Sequence, residues 1–94
     1  MDNTATLTLI EGTFTNNEAK EILSNIFLTK INFHKTRNFS SVERFGKEDE
    51  ISQSRIPALK TELEKLHEFL AEAKADNKKL VITSAINISF ANDI

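Results

Sequence analysis

At the start of the chain Thr4, Thr6 and Thr8 interleave with Ala5, Leu7 and Leu9. A period of two with β-branched residues predicts a half-buried strand. Beyond Ile10 the two faces blur. Glu11 falls in the apolar register, while Ile10 and Phe14 fall on the threonine side. Gly12 is read as a bulge or bend at that point. The last segment alternates almost without fault. Leu80, Ile82, Ile86, Ile88 and Phe90 share one face, with Ser84 the exception, and Val81, Thr83, Ala85, Asn87 and Ser89 share the other. A second strand is expected there.

Between the strands the period changes. Thr15-Asn16-Asn17-Glu18 is a capping box, in which the Thr15 hydroxyl accepts from the Glu18 N–H and the Glu18 carboxylate accepts from the Thr15 N–H. A helix should therefore start at Asn16. Ala19, Ile22, Leu23, Ile26 and Phe27 follow at spacings of three and four, and the stripe continues less cleanly through Ile31, Phe33 and His34 to about residue 36. Residues 37–53 read as a packed connection containing a short helical turn. Ser40-Ser41-Val42-Glu43 is a weaker capping box, Gly46 a helix stop, and Phe39, Val42 and Phe45 are spaced to share one side of that turn. The second long helix has the clearest seam: Ile56, Leu59, Leu63, Leu66, Leu70 and Ala73. Pro57 is harmless only in a first turn, which points to Ser54 as the N-cap. Asp76-Asn77 should end this helix, with Asn77 in the left-handed conformation.

These elements give an α+β domain of order β-α-α-β. A tight turn at Phe14-Thr15 sends helix one back along strand one, and helix two returns antiparallel to helix one. Strand two then runs antiparallel to strand one, so the two terminal strands pair with both long helices packed on one face. Lengths agree: about 20 helical residues span ~30 Å, and about ten strand residues span ~33 Å. Two strands make a marginal sheet with open edges. A second copy would supply the missing cover, so a homodimer is expected.

Size and composition agree with one domain over residues 1–94. There is no cysteine, so neither a disulfide nor thiolate chemistry is available, which suits a reducing, cytoplasmic setting. No apolar run approaches the ~18 residues of a membrane span. Met1-Asp2-Asn3-Thr4 does not resemble a secretory signal. The net charge of −2 argues against general polyanion binding, but the distribution is uneven. Residues 30–47 hold Lys30, Lys35, Arg37, Arg44 and Lys47 against Glu43 alone, so 5 − 1 gives +4 there and −6 elsewhere.

Candidate chemistry is sparse. Gly12 and Gly46 are isolated, so no phosphate-cradling loop exists, and no zinc or calcium ligand spacing is present. No cofactor is expected. Glu48-Asp49-Glu50 reads as a solvated run that favours the coming helix N-terminus. His34 and His67 lie on different helices at different heights, and His67 reads as a boundary histidine with one hydrogen bond. Ser40 is better explained as a cap than as a nucleophile. The polar sheet face of Thr4, Thr6, Thr8, Thr83, Asn87 and Ser89 reads as an ordinary solvated surface.

The most distinctive stretch is 30–47, where the basic residues interleave with Phe33, Phe39 and Phe45. Single-stranded nucleic-acid binders combine cations and aromatics in this way. The plainer reading anchors the phenylalanines in the core, and the acidic run nearby would repel phosphates. The leading expectation is a non-enzymatic, self-associating interaction module. Second comes a nucleic-acid-binding accessory protein using Lys30, Lys35, Arg37, Phe39, Arg44, Phe45 and Lys47. Third is an enzyme gathering His34, Glu43 and Arg44 in a pocket.

Overall fold

The computed structural model describes residues 3–91. Strand β1 (Thr4–Phe14) leads into helix α1 (Asn16–Phe45), then helix α2 (Glu50–Ala75) and strand β2 (Leu80–Ser89). The two strands form one antiparallel sheet, in register from Thr4↔Ser89 to Phe14↔Leu80. The Phe90 N–H extends the ladder by donating to the Asn3 carbonyl at 3.0 Å. Order, class and pairing agree with the sequence expectation.

The capping box at Thr15 is formed in both directions: Glu18 N–H to Thr15 Oγ1 at 3.2 Å, and Thr15 N–H to Glu18 Oε1 at 2.9 Å. Downstream, α1 is longer than its pattern suggests. It runs unbroken to Phe45, so residues 37–45 are helix and not a loop with its own turn. The reason is the lack of a breaker. No Gly or Pro occurs between Thr15 and Gly46, so helix propagation needs only tolerable propensities. Ser40-Ser41 therefore sits inside the helix and caps nothing. Gly46 does end it, at φ 70°, with its N–H donating to the Val42 carbonyl.

The helix connection shrinks accordingly to residues 46–49. Two α1 side chains hold it: Ser41 Oγ donates to the Lys47 carbonyl at 2.8 Å, and Asn38 Oδ1 accepts from the Asp49 N–H at 2.8 Å. The N-cap of α2 is Asp49, not Ser54; its carboxylate accepts from the Ser52 N–H at 2.9 Å. Pro57 thus lies inside α2. An interior proline removes one backbone bond and costs ~3 kcal/mol relative to alanine. What holds residues 50–56 helical despite it is tertiary: Ser52 is fully buried against α1. Pro57 itself is exposed. Pro57→Ala should therefore stabilise the protein by about 1–2 kcal/mol, read as a raised urea midpoint at unchanged slope. A lowered midpoint would mean that α2 starts beyond Pro57.

Three cross-links order the helices as an antiparallel pair. Asn16 Nδ2 donates to the Leu70 carbonyl, Ser24 Oγ meets His67 Nε2 at 3.2 Å, and His34 Nδ1 meets Ser52 Oγ at 3.2 Å. Position rises along α1 as it falls along α2. At the C-terminus of α2, Asn77 takes the left-handed conformation at φ 54°, and the Lys78 N–H reaches back to the Ala73 carbonyl.

The irregularity in β1 falls at Leu9, between Thr8 and Ile10, and not at Gly12. The extra residue explains the blurred alternation. It shifts the side-chain phase by one, so Ala5 and Leu7 before it share a sheet face with Ile10, Gly12 and Phe14 after it. Their partners on β2 are Ile88, Ile86, Ser84, Ile82 and Leu80. The ribbon therefore carries one continuous apolar face.

Only the base of that face meets the helices. Ala19, Leu70 and Leu80 form a buried cluster there, with Phe14, Leu66, Ala73 and Ile82 packed around it, while Ile31 and Leu59 are buried farther along the helices. The radius of gyration is 17.0 Å, against about 12 Å for a compact chain of this length. The extents are 50 × 40 × 15 Å. A 30-residue helix accounts for the long axis at ~45 Å. Two helices side by side, ~10 Å apart, do not fill 40 Å, so the ribbon reaches sideways beyond the helical pair.

Candidate functional site

Burial along the ribbon changes abruptly at the bulge. Ile10, Phe14, Leu80 and Ile82 are buried or half-buried at the base. Beyond it the same face is open: Leu7, Ile86 and Ile88 are exposed, and Phe90 is 77% exposed. The same holds for one flank of α1. Ala19, Ile26 and Phe33 are seven residues apart, two helical turns each, and so form one row. Ala19 is fully buried under the ribbon base, but Ile26 and Phe33 are exposed. They line an open hollow of about 540 Å³ with Asn25, Thr29 and Lys30. The Lys30 ammonium lies over the Phe33 ring, 4.5 Å from its centre.

The accessible surface of the chain is 7608 Å². A compact monomer of 10.6 kDa would expose about 5,500 Å². The excess is about 2,100 Å², and the exposed large apolar residues include Leu7, Ile86, Ile88 and Phe90 on the ribbon and Ile26 and Phe33 on α1.

The basic and aromatic residues of 30–47 lie on one unbroken helix up to Phe45, which spreads them around its axis. Lys30, Arg37 and Arg44 are seven apart and share a row, whereas Lys35 and Phe39 fall on the opposite side. Phe39 is 65% and Phe45 70% exposed. Lys47 sits in the connection, its carbonyl held by Ser41. Arg37 is paired with the Asp49 carboxylate at 3.6 Å. His34, Glu43 and Arg44 are not gathered: His34 is buried toward α2, and the other two are exposed.

Sequence reasoning missed a buried polar chain. Ser52 Oγ donates to Asp49 Oδ2 at 2.8 Å. Its single proton is thereby committed, so it accepts from His34 Nδ1–H. This fixes the tautomer and leaves His34 Nε2 as a buried acceptor without a hydrogen-bond partner in the structure. The composition resembles a hydrolytic triad, but the order is wrong. Ser52 sits in the middle, fully buried, with its proton directed to the carboxylate, so it cannot act as nucleophile. The Asp49-x-x-Ser52 spacing was a legible cap signal; the pairing with His34, 18 positions earlier, was not.

Burial holds the His34 imidazole below its ordinary range, reinforced by the positive charges of Lys30, Arg55 and Arg37 and opposed by Asp49. Hydrogen bonds from Ser52 hold Asp49 below the usual carboxylate range, and bonds from Thr15 do the same for Glu18. All three shifts have one sign in stability. The unfolded chain binds protons that the folded chain resists, so stability is full above the unfolded pKa values and falls on acidification. The first loss, from His34, should begin below about pH 6.5, and the carboxylates add theirs as the pH drops through their lowered values. Urea midpoints at pH 7.5, 6 and 5 and fixed protein concentration should decline. His34→Gln should flatten that decline. A midpoint that rises toward pH 5 would contradict the buried neutral imidazole.

Among the described residues no three acidic, histidine or cysteine side chains gather to hold a metal, and no helix is long and apolar enough to cross a membrane. No protein-family model matches the chain, and neither a curated protein nor a solved structure matches it.

Proposed function

We propose that this chain is a non-enzymatic module that acts by self-association, with the homodimer as its working unit. The observation that carries the reading is the excess surface. About 2,100 Å² per chain, or about 4,200 Å² for two, falls in the range buried by obligate homodimers. A ribbon with an open apolar half-face and two free edges is a marginal element alone. Water is a poor partner for Leu7, Ile86, Ile88 and Phe90 together, and a second copy covers the same face on both chains at once. A cytoplasmic location belongs to the same proposal, since a fold held by packing without cysteine suits a reducing compartment.

Coupling of folding to association gives a direct test. The thermal midpoint should fall as the protein is diluted from about 100 to 1 µM, because mass action favours the dissociated state at low concentration. A midpoint independent of concentration, with one cooperative transition, would overturn the proposal.

A second reading has one observation in its favour. Phe39 and Phe45 stand out from the helix instead of anchoring it, and Phe45 flanks the row of Lys30, Arg37 and Arg44 at its Arg44 end. Exposed aromatics with cations suit single-stranded nucleic acid. Opposing it, Arg37 is engaged with Asp49, and the nearby acidic run repels phosphate. Titration of a labelled oligonucleotide at two salt concentrations separates the readings: salt-sensitive binding supports this one, and no binding at low salt removes it.

A further inference from the structure

Resting on the self-association reading, we infer where the second copy sits: the open half of each ribbon docks on the α1 flank of the partner, over Ile26 and Phe33, in reciprocal two-fold exchange. Each chain already shows half of this contact. The row Ala19–Ile26–Phe33 receives the chain's own ribbon base at Ala19, through Leu80 with Phe14 and Ile82. Two turns further the row is still apolar and has lost its cover. The ribbon shows the converse. Its apolar face is covered at Ile10, Phe14, Leu80 and Ile82 and uncovered at Leu7, Ile86 and Ile88. The Leu9 bulge is what keeps both stretches on one face, so a single surface serves its own helices at one end and a neighbour at the other.

The dimensions agree. From the bulge to Thr4 the ribbon offers five or six residues per strand, about 20 Å. The flank from Ile26 to Arg37 is about 16 Å long, and the hollow at Ile26 and Phe33 continues into a second one lined by Asn32, Phe33, Thr36 and Arg37. A two-fold axis fills both docking sites in one closed pair, with no open end to propagate. Pairing of ribbon edges alone would leave Leu7, Ile86, Ile88, Ile26 and Phe33 in water.

The chain contains no cysteine, which makes single-cysteine mapping clean. Ile88→Cys carrying a mass tag is mixed with untagged Ile26→Cys, equilibrated, and treated with a short bismaleimide. The expected result is a tagged–untagged cross-link at least ten-fold stronger than with Lys35→Cys, which lies on the opposite side of α1. Independently, Ile88→Lys should raise the dimer dissociation constant by about 100-fold or more, since the apolar contact is lost at two symmetric places. If the wild-type chain is dimeric but the Ile88–Ile26 cross-link is no stronger than the Lys35 control, the docking is overturned and self-association stands on another surface. A wild-type chain monomeric at every concentration overturns both.

Discussion

Leu70→Ala should lower the unfolding free energy by about 2–5 kcal/mol, the range for truncating a buried leucine where the site cannot collapse. Leu70 belongs to the small group of buried residues that joins the helical pair to the ribbon: Ala19, Leu70 and Leu80, ringed by Phe14, Leu66, Ala73 and Ile82. Few neighbours are free to move into the space. Ala19 is already small, Leu80 is held in register with Phe14, and the Leu70 backbone is fixed by the Asn16 amide. Against a typical total of about 5–15 kcal/mol, the loss is a large fraction of the stability. Denaturant unfolding should show a midpoint shift of that size at unchanged slope. A loss below ~0.5 kcal/mol would mean that the ribbon is not seated on α2 at this point.

Ser52→Ala should cost about 1–3 kcal/mol, well beyond the removal of one oxygen from a surface. Ser52 is completely buried and sits between two partners. Removing its hydroxyl leaves the His34 Nδ1–H without an acceptor in a site where Nε2 is already unpartnered. The desolvation penalty of the stranded donor sets the cost. The double variant Ser52→Ala, His34→Phe should recover part of the loss, because replacing both partners by apolar groups removes the stranded donor. A double-variant cycle by urea unfolding reads this coupling. Strict additivity of the two losses would contradict the hydrogen-bonded chain.

Much of this architecture was visible in the order of residues. The threonine row, the last strand and the Ile56–Ala73 seam each repeat with one period long enough to be unambiguous. The Thr15–Glu18 box marks a helix start by a local, reciprocal hydrogen bond, and local bonds are what a sequence displays. The end of α1 was less legible because two kinds of residue misled. Asn38, Ser40 and Ser41 favour caps and turns by propensity, yet here Asn38 and Ser41 fasten the neighbouring turn from within the helix. Phe39 and Phe45 look like core residues and are exposed.

The position of the bulge at Leu9 is hidden in the sequence for a related reason. A phase shift in an alternating pattern shows that one residue is extra but not which one, and glycine drew the assignment to Gly12. The start of α2 illustrates tertiary override: a proline in the third turn argues for a later start, and a fully buried Ser52 outweighs it. Of the candidate site, the apolar composition of both surfaces was legible. Their division into a covered base and an open outer half was not, because it depends on how far the ribbon reaches past the helices.

Self-association is the claim on which the functional reading stands, and the mass of the particle in solution tests it most directly. Size-exclusion chromatography with light scattering at micromolar concentration should return about 21 kDa, twice the 10.6 kDa of one chain. A particle of 10.6 kDa that still melts cooperatively would contradict the account, since the open ribbon face would then be stable in water without a partner.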